Sequence, residues 1–216
     1  MDKKEVLDFF KDLVIIVVIV LFIRTLIAMP FQINGQSMYS SYYDKEFIIV
    51  DRLSYRIGEV SRGDVVVFKP YVSDEKKYFL KRIIGIPGDD LKIEDGNVYL
   101  RKEGETEYTE LNETYLNEDN KGHTVIGGSE AMHQYSLREN QYFVLGDNRN
   151  HSTDSRECFS SCAFEGKDNF IAKSDITGKL FLDLGYFNFK SFSFLQPELG
   201  IDTVPRFFGS PSTFDY

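Results

Sequence analysis

Two residues of this chain have the types and settings for nucleophilic chemistry. Ser37 lies in "FQINGQSMYSS" (31–41), directly after a long apolar run, and Lys81 sits inside the apolar stretch "YFLKRIIGI" (78–86). A serine hydroxyl attacks an amide only when another group takes its proton. A lysine can do so near neutrality if its pKa falls from about 10.4 to about 7 or 8, a cost of roughly 4 kcal/mol. Burial disfavours the ammonium form, and Phe79, Leu80, Ile83 and Ile84 could wall in the Lys81 amine. Each residue also has a plainer reading. Asn34-Gly35 is a common turn dipeptide whose neighbouring serines bond only to local backbone, and Lys81 could face solvent on an alternating strand. His151 is an alternative base, but it falls in the polar segment "GDNRNHSTDSR" (146–156).

Other serine patterns fail on context. Ser73-Asp74-Glu75-Lys76 has the S-x-x-K spacing but sits in an acidic loop without partner motifs, and "GQSMY" lacks the second glycine of a nucleophile elbow.

Composition limits the partners. The chain has 216 residues and a formal charge of −9, which argues against nucleic acid as a partner, since phosphate binding needs a concentrated basic surface. Its 3 histidines, at positions 123, 133 and 151, show no metal-ligand spacing, so neither a metal nor another cofactor is expected. The 2 cysteines, Cys158 and Cys162, could close a short disulfide in an oxidising compartment or remain free thiols.

Positioning begins with the front end. "LVIIVVIVLFIRTLIAMPF" (13–31) holds one charge, Arg24, and shows no wet face from Leu13 to Ile23. With Phe9 and Phe10 it reaches the roughly 20 apolar residues of a spanning helix. A removable signal peptide would end in a small-x-small site, whereas Leu26 precedes Ala28 at the key position. Residues 1–29 are therefore expected to be a cytoplasmic stub and an uncleaved transmembrane anchor. Lys3, Lys4 and Lys11 favour a cytoplasmic N-terminus, and Arg24 snorkels to the outer interface.

Beyond Pro30 the period changes. "EFIIVDR" (46–52), "GDVVVFKP" (63–70), "KYFLKRIIGI" (77–86), "DLKIEDGNVYL" (90–100), "QYFVLGD" (141–147) and "ITGKLFLDL" (176–184) read as strands. Asp95-Gly96 marks a hairpin turn. The expected fold is mainly β and antiparallel over residues 30–216. Residues 101–140, charged and weakly patterned, read as a variable insertion that contributes little to any site. Residues 185–216 form an aromatic-rich tail expected to pack on the barrel, the alternative being a skirt at the membrane surface, where amphipathic rings are favoured.

In order along the chain, "FQINGQSMY", "GDVVVFK", "KRIIGIPGD" and "GDNRNHSTDSR" resemble the motifs of the bacterial type I (leader) signal peptidases of the Ser-Lys class. The resemblance spans residues from about 10 to 156. It implies a β-rich, signal-peptidase-like catalytic domain outside the membrane, with Ser37 as nucleophile and Lys81 as general base. It implies that Ser152 orients the Lys81 amine, that Asp154 and Arg156 pair in support with Arg82 nearby, and that the Ser37 backbone N–H holds the oxyanion. Phe31, Ile33 and Leu80 would line pockets for small side chains. The implied reaction is removal of signal peptides from exported preproteins at A-x-A-like sites, by a monomer at the membrane lipid surface. The chain departs from the family pattern in three places. Gly35 replaces a hydroxyl-bearing residue found in some members, "MYSSYY" lacks the usual proline, and "ECFSSCAFEGKDNFIAK" is a longer link. The rival readings are another enzyme on the same catalytic pair, either a self-cleaving repressor, which should carry a DNA-binding domain, or a processing protease for conjugation proteins, and an inactive tethered β-domain, which should have lost Ser37 or Lys81.

Overall fold

In the computed structural model, which describes residues 2–70, 77–127, 131–160, 168–188, 193–194 and 206–207, the apolar run folds into helix α1 (Lys3–Leu26), 24 residues long. Asp2 N–H donates to Glu5 Oε2 at 2.8 Å and closes its first turn. None of its residues is buried. The anchor expectation is met only in part. Among the described residues no helix is long and apolar enough to cross a membrane. The expectation counted apolar residues through Phe31, but the helix ends at Leu26 and Ala28–Gln32 becomes strand β1. Lys11, Asp12 and Arg24 bracket an uncharged run that rises only roughly 17 Å at 1.5 Å per residue.

Pro30 can sit in β1 because that strand lies at the edge of its sheet and need not donate on its outer side. β1 pairs antiparallel with β2 (Phe47–Asp51), whose alternation points Ile48 and Val50 inward. A single-turn helix, α2 (Ser54–Ile57), leads to β3 (Val65–Phe68), buried along its whole length, and then β4 (Phe79–Gly85). β5 (Asp90–Glu94) and β6 (Asn97–Arg101) form the expected hairpin. Asp95 and Gly96 both take positive φ, 48° and 79°. A Cβ on Gly96 would stand 1.8 Å from the Gly122 carbonyl oxygen, so only glycine fits that turn.

The insertion supplies β7 (Thr109–Glu110) and β8 (His133–Ser136), which flank the hairpin in a 4-stranded sheet ordered β7-β6-β5-β8. β9 (Phe143–Leu145) and β10 (Ile176–Gly185) complete the main path β1-β2-β10-β3-β4-β9 of a 7-stranded sheet. The described parts of the tail are strands too. β11 (Phe187–Asn188) pairs with β12 (Ser193–Phe194), and β13 (Arg206–Phe207) pairs with β10. The rest of the tail, Cys162 and the run 73–76 lie outside the described residues. Cys158 is disulfide-bonded.

Three apolar clusters fill the fold. The one beneath the Ser37 loop joins Ile33, Met38, Tyr42, Ile48, Val50, Val65, Val67 and Leu180. Each fully buried aliphatic side chain there stabilises by about 1.5–3 kcal/mol, which holds β1 and β4 in fixed relation.

Candidate active site

The Ser37 loop leaves β1 and is pinned at both ends. Ile33 N–H donates to Glu46 O at 2.9 Å, Gly35 N–H to Asp44 Oδ1 at 2.7 Å, and Tyr42 N–H to Met38 O at 2.9 Å. Met38, 1 % exposed, plugs the core and fixes the preceding serine. Gly35 has φ +115° with no atom near the position of a Cβ. Space for a side chain exists there, but the backbone conformation selects glycine.

Lys81 comes from the centre of β4, opposite Val66 of β3. Its Nζ stands 2.7 Å from Ser37 Oγ and 2.9 Å from Leu80 O, with the Phe79 ring centroid 5.3 Å away. Burial lowers its pKa to about 8, against the fields of Asp154 and Asp147, with the Arg156 charge adding to the depression. The β-strand that could have exposed this lysine instead runs under a packed loop, so the buried reading of its apolar neighbours holds.

The segment 146–156 closes over both groups. Asn148 N–H donates to Ser37 O at 3.1 Å and Asn148 Nδ2 donates to Gln36 O at 2.9 Å. Asp154 and Arg156 form the expected ion pair, Nε to Oδ1 at 2.9 Å and Nη2 to Oδ2 at 3.0 Å. Gly146 N–H also donates to Asp154 Oδ2. Burial works against the Asp154 charge, but Arg156 and these donors hold its carboxyl below the ordinary range. Arg82 grips Asp147 through Nε and Nη2, both residues 1 % exposed, with the Tyr115 ring 4.1 Å from its guanidinium carbon.

Ser152 differs from the expectation. The Lys81 amine takes Ser37 Oγ and Leu80 O as its partners. Ser152 Oγ is buried without a well-formed hydrogen bond, although it lies close enough to Asp154 to help lower that acid's pKa. Its room comes from Gly146. A Cβ there would stand 2.1 Å from Ser152 Oγ and 2.4 Å from Ser37 O. Gly146→Ala should therefore push the two serine segments apart and lower kcat/KM by about 100-fold, since a shift near 1 Å has that effect. Steady-state cleavage rates on a folded variant check this.

Sequence reasoning missed the brace behind this segment. Arg149, buried, donates to Glu113, Thr124 Oγ1, Tyr115 OH and Gly146 O, and its N–H donates to Asn120 Oδ1. Arg156 Nη1 donates to Val125 O at 3.1 Å. The insertion thus supports the site, contrary to the expectation that it contributes little. Its mixed composition carries no periodic signal, and only "GDNRN" pointed toward Asn148 and Arg149.

A cavity of about 570 Å³ opens beside Ser37 and Lys81, lined by Phe31, Ile33 and Leu80 as expected, and also by Tyr78, His151 and Thr153. The strands on either side present unpaired backbone. β3 covers Phe79–Arg82 on one side, while β9 begins its pairing only at Arg82 on the other. β1 is bonded to β2 alone. Among the described residues nothing accepts a hydrogen bond from Ser37 N–H.

Comparison with known proteins shows the family. The family model for signal peptidase, peptidase S26, matches residues 6–184. Signal peptidase I S of Bacillus subtilis (strain 168) is 32 % identical over 173 residues, covering 78 % of this chain and 90 % of that protein. Signal peptidase I T of the same strain is 33 % identical over 152 residues, covering 69 % and 75 %. A crystal structure of a signal peptidase I from Enterococcus faecalis V583 is 25 % identical, with a TM-score of 0.40, over 57 % of this chain and 98 % of that one. With 6–184 matched and a relative this similar across most of both lengths, the chain belongs to the signal peptidase family, peptidase S26, and is a serine endopeptidase of the signal peptidase I kind.

Proposed function

We propose that Ser37 and Lys81 form the catalytic pair that removes signal peptides from exported preproteins. The observation carrying this reading is the 2.7 Å approach of Lys81 Nζ to Ser37 Oγ in a site that depresses the amine's pKa to about 8. The neutral amine takes the Ser37 proton as Oγ attacks the scissile carbonyl. The protonated amine then returns that proton to the leaving nitrogen. The unpartnered Ser37 N–H points to the oxyanion as its acceptor. With Gly35 supplying no hydroxyl, that backbone donor carries the role on the Ser37 side. Leu80 O fixes the amine's direction. We assign Ser152 the amine once Ser37 Oγ is acylated, and Asp154, Arg156 and Arg82 the stiffening of the segment that bears it.

The substrate reading follows from the unpaired edges. An extended peptide can bond to backbone near 33–36 and 79–81 as an added strand, with alternate side chains entering the cavity past Phe31, Ile33 and Leu80. Small residues at the scissile position and two before it (A-x-A) suit a cavity with an apolar floor and bulky walls. Leu80→Ala should widen it and raise cleavage after Leu or Val relative to Ala by about 10- to 100-fold in kcat/KM. Competing precursors that differ only at that residue measure the shift.

We also read α1 as the membrane anchor, with the N-terminus cytoplasmic and the catalytic domain outside. Every apolar side chain from Leu13 to Ile23 is at least 44 % exposed, and water is a poor solvent for such a surface. Lys11 and Arg24 can snorkel to the two interfaces, lengthening the run that its bracketing charges shorten. At most roughly 35 Å of chain separates Ile27 from Ser37, which keeps the site near the outer leaflet where precursors emerge. Processing of a reconstituted precursor with an A-x-A site tests the whole reading. Ser37→Ala should lose on the order of a million-fold in kcat with the fold intact, and undiminished processing would overturn it.

A further inference from the structure

A second cavity, of about 320 Å³, opens beside the end of α1, lined by Arg52, Tyr55, Arg56, Lys173 and Ser174 among others. It is tied to that helix. Arg52 Nη1 donates to Thr25 O at 2.8 Å, and Arg52 N–H donates to Ile27 O at 2.8 Å. The cavity therefore sits where the chain leaves α1. It lies outside the constellation around Ser37, and the cleavage chemistry leaves its cations without a role.

Its chemistry is that of an anion receptor. Arg52 Nε is buried and has no hydrogen-bond partner among the described residues, so a polar N–H is held out of water with nothing to receive it. Arg56 is exposed and makes no ion pair among the described residues. Lys173 Nζ donates to Gly58 O and meets Glu59 at 3.0 Å, but Glu59 is 83 % exposed, and a pair so open to water contributes little. Of the carboxylates beside the lining residues in sequence, Asp51 is taken up by Ser54 Oγ and by the N–H groups of Leu53 and Ser54, and Asp175 accepts from Ala172 N–H. The lining itself contains no acid. A guanidinium with a free N–H beside two more cations matches the oxygens of a phosphate.

The rim names the source of that phosphate. On the turn that carries Arg56, Leu53 is 40 % and Ile57 is 83 % exposed. Apolar side chains directed outward next to cations are the composition of a surface lying at a membrane interface. We propose that this cavity receives the headgroup phosphate of an anionic phospholipid, with Leu53 and Ile57 entering the acyl boundary, so that the catalytic domain sits on the bilayer at a fixed height. The proposal rests on the reading of α1 as an anchor in the same bilayer.

The chain has no Trp, so Ile57→Trp introduces a single indole at the rim. The full chain carrying it is reconstituted in phosphatidylcholine vesicles containing phosphatidylglycerol, with bromine placed on one lipid or the other. The indole is expected to be quenched more strongly by brominated phosphatidylglycerol than by brominated phosphatidylcholine at equal mole fraction. Arg56→Gln should reduce that enrichment about five-fold, the contribution of one basic residue near an anionic surface, and adding Lys173→Gln should reduce it further. Equal quenching by the two lipids in protein that floats with the vesicles overturns the headgroup site and leaves the anchor reading standing. Protein that does not float overturns both. Loss of the enrichment on adding inorganic phosphate at matched ionic strength makes soluble phosphate the occupant and overturns the lipid assignment.

Discussion

Lys81→Met is expected to process precursor at least about a thousand-fold more slowly than the wild type, while folding as well or better. The methionine keeps most of the side chain's length in its apolar slot and removes the proton acceptor 2.7 Å from Ser37 Oγ. Its effect on stability separates a catalytic amine from a structural one. The folded-state pKa of Lys81 is about 8 against an ordinary 10.5. Below about pH 8 the lysine is protonated in both states, and the folded protein carries the full cost of burying the charge. Between about 8 and 10.5 the unfolded chain still binds the proton and the folded one does not, so stability rises with pH through that window. The gain amounts to about 3 kcal/mol by the top of it. Lys81→Met should lack this rise, and the difference between wild-type and variant denaturation curves from pH 7 to 11 isolates it. In the proposed mechanism the same group sets the rate. Wild-type kcat/KM should climb about ten-fold per pH unit below pH 8 and level off above it. A flat profile, or a variant retaining a tenth of the activity, would remove Lys81 from the mechanism.

The second large effect lies behind the site. Asp147→Ala takes away the carboxylate that the buried Arg82 guanidinium, 1 % exposed, grips with two N–H groups. Breaking such a buried pair from one side costs about 3–5 kcal/mol, a large share of the 5–15 kcal/mol that holds a typical domain folded. Urea denaturation should show the midpoint falling accordingly with an unchanged slope. The loss belongs to the stranded charge and not to a missing attraction, so replacing both partners by apolar residues (Asp147→Leu with Arg82→Met) should recover most of it. A loss under about 1 kcal/mol from Asp147→Ala would mean that Gly63 O and the Tyr115 ring, which also contact Arg82, suffice to hold its charge.

These two sites also differ in how far they could be read beforehand. The strands were legible because period-two alternation and flanking glycines are local signals. β2, β3, β4 and β9 fall inside the predicted segments, and the β5–β6 hairpin and β10 overrun theirs only at Arg101 and Gly185. The apolar neighbours of Lys81 announced its burial for the same reason. Where α1 stops was not legible. Ile27–Phe31 is as apolar as the helix before it, and only pairing with β2, formed by residues well along the chain, turns Ala28–Gln32 into a strand.

The candidate site divides in the same way. The residue types at 37, 81, 152, 154 and 156, and the order of the motifs that contain them, are properties of the chain itself, and they were enough to choose a chemistry. The distance between Ser37 Oγ and Lys81 Nζ is not such a property. It exists because the main sheet brings the exit of β1 beside the middle of β4 and because Asn148 ties the loops together. The same holds for the brace of Glu113, Tyr115, Asn120 and Thr124 around Arg149. Charged residues in a weakly patterned insertion look solvated until folding places an arginine among them. Local physics chose the strands and the candidate reactive groups, whereas contacts between distant segments decided which groups meet, because only the assembled sheet and loops exclude water from the space between them.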